Sequence, residues 1–245
     1  MFPPKVQDVI LSRKGITVRK SENKINIECG GILIDLDGVL LDSTACIERH
    51  WQEWAEKHKL DLKTVLVNAH GVRTIETIQR VAPHLDAEKE AAEFTAHEIL
   101  DTEGVTVIPG AKELLAGLEI DKWAIVTSCG FDLVQARLKK AGLPMPKHII
   151  TSDDVTQGKP SPQPYLLGAK KLNLAVEQCV VIEDAPIGVR AGKAARMLVI
   201  GIASTHPKDE LDKAGVDFLV ESLMDIHISQ NDQTHSLKII LTTQS

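Results

Sequence analysis

The sequence predicts an α/β protein whose core is a doubly wound, mainly parallel sheet interrupted by a helical insertion. Two observations support this prediction, one for the sheet and one for the insertion. The first is that short apolar runs recur between turn residues, with amphipathic segments such as residues 131–141 between them; the runs are GILIDL, KWAIVTS, KHIITS, QCVVIED and MLVIGIAS. Runs of this length alternating with helical segments are typical of βαβ units, whose helices cover both faces of a parallel sheet.

The second observation is that the pattern becomes purely helical directly after the first predicted strand. Ile47, Trp51 and Ala55 recur at the spacing of one helix face, and Asp86 is a candidate N-cap for a later helix. We therefore expect residues 44–105 to form a helical cap domain inserted after the first strand.

The remaining segments divide between the core and one extension. Residues 31–43 and 106–245 are assigned to a Rossmann-like core domain, and residues 1–30 to an N-terminal extension. ITVRKSENKINIE in the extension and HSLKIILTT near the other end alternate partly between apolar and polar residues. Such alternation indicates small antiparallel strands, which we expect to flank the core.

The composition limits the classes of partner. Of 245 residues, 43% are hydrophobic and 25% are charged, and the formal net charge of −6 argues against nucleic acid or an anionic membrane as a partner. No apolar run is long enough to cross a bilayer and MFPPKVQDVILSRKG lacks the apolar centre of a signal peptide, so we expect a cytoplasmic protein. Four cysteines without a C-x-x-C pair are expected to be reduced, buried thiols: Cys29, Cys46, Cys129 and Cys179.

Two acids stand at the end of the first apolar run. In GILIDLDG, Asp35 and Asp37 are two residues apart and Gly38 follows. Alternate side chains of a strand point to the same face, so both carboxylates should meet in one small volume. Like charges that close repel unless they share a proton or a cation. The pair therefore indicates a metal site, a chemical role or both.

Further polar side chains follow the other predicted strands. They are Thr127 and Ser128 after KWAIV, Lys159 on the loop after HIITSDD, and Glu183 and Asp184 after QCVVI. Taken singly, Thr127 is also typical of a helix cap and Lys159 of a solvated loop charge. Ligands of open α/β sheets bind outside the carboxyl ends of the strands, so the combined placement predicts one site at that edge.

Four ordered motifs resemble those of the haloacid dehalogenase superfamily of phosphotransferases: DLDGVLLDS, VTS, GKPSPQPY and IEDAPIGVRAG. The similarity extends over about residues 31–221. Within the superfamily, HGVRTIETI, DKWAIVTS and DVTQGKPSPQPYLLGAKKL are similar to the glycerol-phosphate and 2-deoxyglucose-6-phosphate phosphatases and to bacterial sugar phosphatases. The resemblance implies a phosphatase whose partner is a small phosphorylated metabolite.

The resemblance also implies roles for the acids. By the family pattern, Asp35 is the nucleophile that forms an aspartyl phosphate, and Asp37 protonates the leaving oxygen and then deprotonates the attacking water. The implied cofactor is Mg²⁺, held by Asp35, Asp184 and the backbone carbonyl of Asp37. Glu183 is expected to bind a metal water or to orient Asp184.

A transferring phosphoryl group also needs positive charge and hydrogen-bond donors. The resemblance assigns the charge to Lys159 and the donors to Thr127 or its neighbour Ser128.

In the cap, NAHGVRT places Gly71 near two bases, His70 and Arg73. A loop that reads the substrate and a turn with two solvated bases both fit this pattern. The resemblance favours the substrate-reading loop, in which Arg73 contacts the hydroxyls or the phosphate of the substrate.

The expected function is Mg²⁺-dependent hydrolysis of small sugar or polyol phosphate monoesters. A phosphomutase of the β-phosphoglucomutase type shares all four motifs and stays an alternative, because the exclusion of water by the cap decides between the two. Dehalogenation needs neither leaving-group protonation nor magnesium, so Asp37 and the pair Glu183 and Asp184 argue against it. The intact set of acids gives no reason to prefer an inactive binding protein.

Overall fold

The structure is a computed structural model that describes residues 8–13, 15–21, 23–231, 234 and 236–242. Its strands are β1 (Asp8–Arg13), β2 (Ile16–Ser21), β3 (Lys24–Cys29), β4 (Gly31–Ile34), β5 (Leu41–Asp42), β6 (Thr106–Val107), β7 (Trp123–Val126), β8 (Ile149–Ile150), β9 (Cys179–Glu183), β10 (Leu198–Ile202), β11 (Phe218–Val220), β12 (Ile226–Asn231) and β13 (Ser236–Thr242). Its helices are α1 (Thr44–His58), α2 (Leu62–Ala69), α3 (Thr74–Val81), α4 (Ala87–Leu100), α5 (Ala111–Ala116), α6 (Phe131–Ala141), α7 (Gln163–Lys171), α8 (Pro186–Ala194) and α9 (Lys208–Ala214).

The predicted parallel sheet has six strands in the order β11-β10-β9-β4-β7-β8, and every neighbouring pair is parallel. Five of these strands coincide with the predicted apolar runs. The sixth, β11, is the three-residue strand FLV, which is not among the predicted apolar runs. The predicted fold class is confirmed, and β4 lies between β9 and β7 near the middle of the sheet.

Both faces of this sheet are covered, which is why its strands are continuously apolar. Ile32 and Ile34 of β4 join one hydrophobic cluster, and Leu33 between them joins another on the opposite face. All four residues of β4 and all five of β9 are buried. Because both faces of such a strand are covered, polar residues at its end can be accommodated only beyond the carboxyl edge of the sheet.

Helices α1 to α4 form the cap and share a hydrophobic cluster of their own. Trp51 packs against Phe94 with ring centroids 4.2 Å apart and against Trp54 at 5.4 Å, so both tryptophans belong to the interior of the cap. Asp86 caps α4, as its sequence context predicts, by accepting a hydrogen bond from the backbone N–H of Lys89. Within the described ranges, no helix combines the length and apolar composition needed to cross a bilayer.

The chain leaves the core and returns to it through two adjacent segments. Strand β5, before the cap, pairs antiparallel with β6, after the cap. The two linkers of the cap are therefore joined side by side at the base of the insertion.

Strands from the first and the last described segments of the chain form a second, antiparallel sheet of order β1-β2-β3-β13-β12. Ile27 of β3 pairs with Ile239 of β13, and both side chains join the hydrophobic cluster on one face of the parallel sheet. The antiparallel strands are thus where the alternation indicates them. Strands β12 and β13 follow the parallel strands in the chain but belong to this antiparallel sheet. Residues 1–7 of the predicted extension lie outside the described residues.

Candidate active site

The carboxyl edge of the parallel sheet holds Asp35 directly after β4 and Asp184 directly after β9. Both are nearly inaccessible, at 5% and 4% exposure. The chain turns sharply after Asp35, with Gly38 at φ +80°, and a Cβ on Gly38 would lie 2.0 Å from an oxygen of Asp184. Glycine is therefore required at this position, because any side chain would occupy the space of the second acid.

A buried lysine links the first acid to a third. Lys159 Nζ lies 3.0 Å from Asp35 Oδ1 and donates to Glu183 Oε1 at 2.6 Å. Tyr165 donates its hydroxyl to the same Glu183 oxygen at 2.6 Å, and the other oxygen accepts the backbone N–H groups of Asp184 and Ala185. Glu183 therefore fixes both the lysine and the start of the loop that carries Asp184.

Burial and charge shift the pKa values of these groups. Burial raises the pKa of Asp35 to about 7, with Lys159 opposing the shift and Glu183 adding to it. Burial, then Glu183 and Asp35, raise the pKa of Asp184 well above its usual range. Burial alone would lower the pKa of Lys159, but the attraction of Asp35 and Glu183 outweighs it and the pKa is raised. One lysine therefore lies among three acids, an arrangement that favours either protonation of the acids or the binding of a further cation.

The donor set fits a divalent cation. Carboxylate oxygens of Asp35, Glu183 and Asp184 all lie within 4.8 Å of one another. Asp184 Oδ1 is buried and has no hydrogen-bond partner within the described part of the chain, whereas its other oxygen accepts the hydroxyl of Thr205. A buried carboxylate oxygen without a partner is costly, and hard oxygen ligands of this kind are those that Mg²⁺ prefers.

Asp37 occupies the next position on the same edge, and three donors hold its carboxylate. Ser43 Oγ donates to Oδ1 at 2.6 Å, Arg137 donates to Oδ2 at 2.8 Å, and Cys129 Sγ lies 3.1 Å from Oδ2. The sequence pattern indicates a role for this carboxylate in proton transfer but does not reveal these three partners. One signal was available for Arg137, because it falls among Leu133, Val134 and Leu138 on the buried face of α6.

The hydroxyl residues after β7 differ in their contacts. Thr127 is 4% exposed and its Oγ1 accepts the backbone N–H of Cys129 at 3.2 Å. Ser128 reaches the cap, where its hydroxyl donates to the carbonyl of Gly71 at 2.8 Å. Both line the pocket described below, and their binding of substrate stays a prediction.

The predicted cap loop also lies against the core. The ring of His70 meets the ring of His206 edge to face at 5.8 Å. Arg73 pairs with Glu76 and donates to the backbone carbonyls of Val155 and Thr156 at 3.0 Å each, close to Lys159 in the chain. The guanidinium of Arg73 thus fastens the cap to the core here, and the reading of substrate hydroxyls by Arg73 stays a prediction.

A pocket of about 300 Å³ lies between the cap and the core. Asp35, Asp37 and Asp184 line its core side, and the cap contributes Trp51, His70, Phe94, Thr95 and Glu98. The cavity brings together acids, hydroxyls and the guanidinium groups of Arg73 and Arg137. Lys159 pairs with Asp35 but does not itself line the cavity. Its size and polar floor suit a small anionic ligand.

A capped α/β core with buried acids after its central strands and a buried lysine beside them is the arrangement that the four sequence motifs predict. A family model described as haloacid dehalogenase-like hydrolase matches residues 32–202. Hexitol phosphatase A of Escherichia coli strain K12 is 41% identical, with 83% of this chain and 96% of the relative covered. Glycerol-1-phosphate phosphohydrolase 2 of Saccharomyces cerevisiae is 34% identical, with 92% and 94% covered. The chain belongs to the haloacid dehalogenase-like hydrolase family and is a phosphatase of that family.

A solved structure adds a second kind of relative. A Bacteroides vulgatus protein, provisionally named a β-phosphoglucomutase, superposes with a TM-score of 0.68 at 28% identity, covering 80% of this chain and 85% of the other.

Proposed function

We propose that the protein hydrolyses small sugar or polyol phosphate monoesters with Mg²⁺ as cofactor and Asp35 as the nucleophile. The observation that carries this proposal is that Asp35, paired with Lys159, and Asp184 line the same pocket of about 300 Å³, and that one buried oxygen of Asp184 has no hydrogen-bond partner among the described residues. The names of the relatives, a hexitol phosphatase and a glycerol-1-phosphate phosphohydrolase, support the polyol class.

The reaction proceeds in two transfers. A carboxylate oxygen of Asp35 forms a bond to phosphorus as the ester P–O bond breaks, and Asp37 gives a proton to the departing alkoxide. A water molecule then attacks the phosphorus of the aspartyl phosphate as Asp37 takes its proton. The products are the alcohol, inorganic phosphate and free Asp35.

The surrounding residues provide charge and donors for the phosphoryl group. Lys159, 3.0 Å from the nucleophile, balances the negative charge that spreads over the equatorial oxygens. Thr127 and Ser128 supply hydroxyls and nearby backbone N–H groups. Glu183 holds Lys159 in place through the 2.6 Å contact.

The proposed ligands of Mg²⁺ are Asp35, Asp184 and the backbone carbonyl of Asp37. When bound, the cation neutralises the phosphate and aligns it with the nucleophile. Glu183 is the least suited of the acids to direct binding, because Lys159, Tyr165 and two backbone groups already use its oxygens.

The cap selects the rest of the substrate in this proposal. His70 and Gly71 of the cap line the pocket and are the candidates for contact with the substrate. Arg73 bonds the loop that precedes Lys159, and we propose that these bonds hold His70 and Gly71 in position against the core. A pocket near the lower limit of ordinary ligand pockets favours small metabolites over nucleic acid.

A release assay tests the proposal directly. Inorganic phosphate is measured with glycerol, hexitol, hexose and nucleotide monophosphates as substrates, with and without added Mg²⁺. We expect release that equals the substrate consumed, depends on Mg²⁺ and is fastest for polyol or sugar phosphates. Full activity in excess chelator, or no release from any polyol or sugar phosphate, would contradict it.

A phosphomutase is the second candidate, favoured by the structural similarity to the provisionally named β-phosphoglucomutase. A mutase returns the phosphoryl group to a sugar hydroxyl and needs a bisphosphate primer, whereas the proposed phosphatase needs none. Conversion of glucose 1-phosphate to glucose 6-phosphate, dependent on glucose bisphosphate and faster than phosphate release, would replace the phosphatase proposal with this one.

A further inference from the structure

A buried arginine connects the proposed acid–base residue to the cap. Arg137, on α6 of the core, is 1% exposed. One terminal nitrogen donates to Asp37 Oδ2 at 2.8 Å, and the other donates to Glu98 Oε1 at 2.8 Å. Glu98 is 4% exposed and lies in the last turns of α4, the cap helix that packs on α6. The guanidinium therefore bridges two carboxylates that belong to different domains.

The other oxygen of Asp37 is tied to the base of the cap. Ser43 stands at the N-cap of α1, where serine ordinarily accepts a hydrogen bond from the helix backbone. Here its side chain makes no such bond and donates to Asp37 Oδ1 at 2.6 Å. Oδ1 of Asp37 is thus held from the base of the cap, and Oδ2 is held by an arginine that also bonds the cap, with Cys129 of the core as a further contact of Oδ2 at 3.1 Å.

The fork of the guanidinium explains why an arginine occupies this position. Its two terminal nitrogens lie in one rigid plane, so a single side chain fixes the relative positions of both carboxylates, which the point charge of a lysine does not do. Burial raises the pKa of Glu98 to about 7, with Arg137 opposing the shift and Asp37 adding to it. Movement of the cap away from the core would separate Arg137 from Glu98. Loss of this partner from a buried charge costs free energy, so the pair favours the packed position of the cap.

We propose that Arg137 is a positioning residue for Asp37 and that Glu98 of the cap holds Arg137 in place, so that the acid–base carboxylate is aligned only when the cap is closed. This inference rests on the acid–base role of Asp37 in the proposed function. It deepens that role by making the alignment of Asp37 depend on the position of the cap.

The test compares two leaving groups. An alkyl phosphate such as glycerol 1-phosphate needs a proton on its leaving oxygen, whereas 4-nitrophenyl phosphate does not. The measured quantity is kcat/KM at saturating Mg²⁺, because it reports the steps up to departure of the leaving group. The variants are E98A, R137K and their double variant, with D37N as the reference for loss of the acid and E90A as the matched control.

Glu90 suits the control because it lies on the same helix as Glu98 but bonds within the cap, to Trp54 and His58. We expect E98A and R137K each to lower kcat/KM about tenfold or more for the alkyl phosphate and less than about threefold for the nitrophenyl ester, as loss of general acid catalysis predicts. The double variant should be no worse than R137K, because Glu98 acts through Arg137. E90A should leave both substrates unaffected.

The outcomes separate this inference from the proposed function. Equal losses on both substrates for E98A and R137K, with D37N selective for the alkyl phosphate, overturn the positioning role alone. Additive losses in the double variant overturn the dependence of Arg137 on Glu98. Equal losses on both substrates for D37N overturn the acid role itself, and this inference with it. Thermal melting checks that each variant is folded. If R137K is unfolded, the comparison of the two substrates with E98A tests the inference, because E98A keeps the pair Arg137 and Asp37.

Discussion

The two sheets of this molecule bury apolar residues in different ways. The candidate active site lies at the carboxyl edge of the parallel sheet, not at the antiparallel one. In the parallel sheet every residue of β4 and β9 is buried, and the strands deliver their terminal acids to a common edge. In the antiparallel sheet β3 and β13 bury alternate residues and keep a half-exposed outer face. Neighbouring antiparallel strands end at opposite edges, so their ends do not converge. We infer that the parallel sheet serves the chemistry and the antiparallel sheet serves stability.

The largest expected effect is at the nucleophile. D35N removes a negative charge from a buried cluster of three acids and leaves the shape unchanged, so the fold should persist while an amide cannot attack phosphorus. We expect kcat to fall more than about a hundredfold, measured by phosphate release with thermal melting as the check on folding. Retention of more than about a hundredth of the wild-type kcat would refute covalent catalysis by Asp35.

The second effect is on the metal requirement. D184A removes the buried oxygen that has no hydrogen-bond partner in the described part of the chain, so the Mg²⁺ concentration for half-maximal activity should rise about tenfold or more. Titration of chelated enzyme with Mg²⁺ measures this, and Ca²⁺ should substitute poorly because its looser coordination misplaces the nucleophile. D209A is the matched control, since Asp209 is exposed and pairs with Lys213. An unchanged Mg²⁺ dependence in D184A would remove Asp184 from the proposed metal site.

The sequence predicts the parts of the molecule that local pattern specifies. Asp35, Thr127 and Asp184 follow apolar runs, so their common edge follows from the pattern of a parallel sheet. The family motifs add the roles of these residues. The structure brings them together with Lys159 and Glu183, as that argument expects.

The contacts that the sequence does not reveal join distant positions. Arg137 reaches Asp37 across 100 positions and Glu98 across 39, and no pattern within one helix identifies such partners. Tyr165 likewise looks like an ordinary core residue of α7 until Glu183 is placed beside its hydroxyl. The pairing of β3 with β13 is a similar case, because alternation predicts two strands but not that they are neighbours.

The third effect separates stability from activity in the antiparallel sheet. Ile239 and Ile240 are consecutive in β13, but Ile239 is fully buried and Ile240 faces outward and is half-buried. I239A should lower the free energy of unfolding by about 2–5 kcal/mol, as core truncations of this kind do. I240A should have the smaller effect, and both should keep wild-type kcat/KM below their melting temperatures. Loss of kcat/KM in folded I239A would show that the antiparallel sheet also supports the site.

The smallest effect is expected for a charge pair on the outer face of that sheet. Arg19 and Glu28 lie 3.8 Å apart with side chains 45% and 33% exposed, and they are diagonal neighbours across β2 and β3. Solvent screens such a pair, so a double-mutant cycle of R19A and E28A should give a coupling free energy of about 0.5 kcal/mol or less that decreases with added salt. The buried pair of Arg137 and Glu98, by contrast, is shielded from salt, and its coupling in kcat/KM should persist as ionic strength rises. A coupling above about 1 kcal/mol between Arg19 and Glu28 would mean that the outer face is more than a solvated surface.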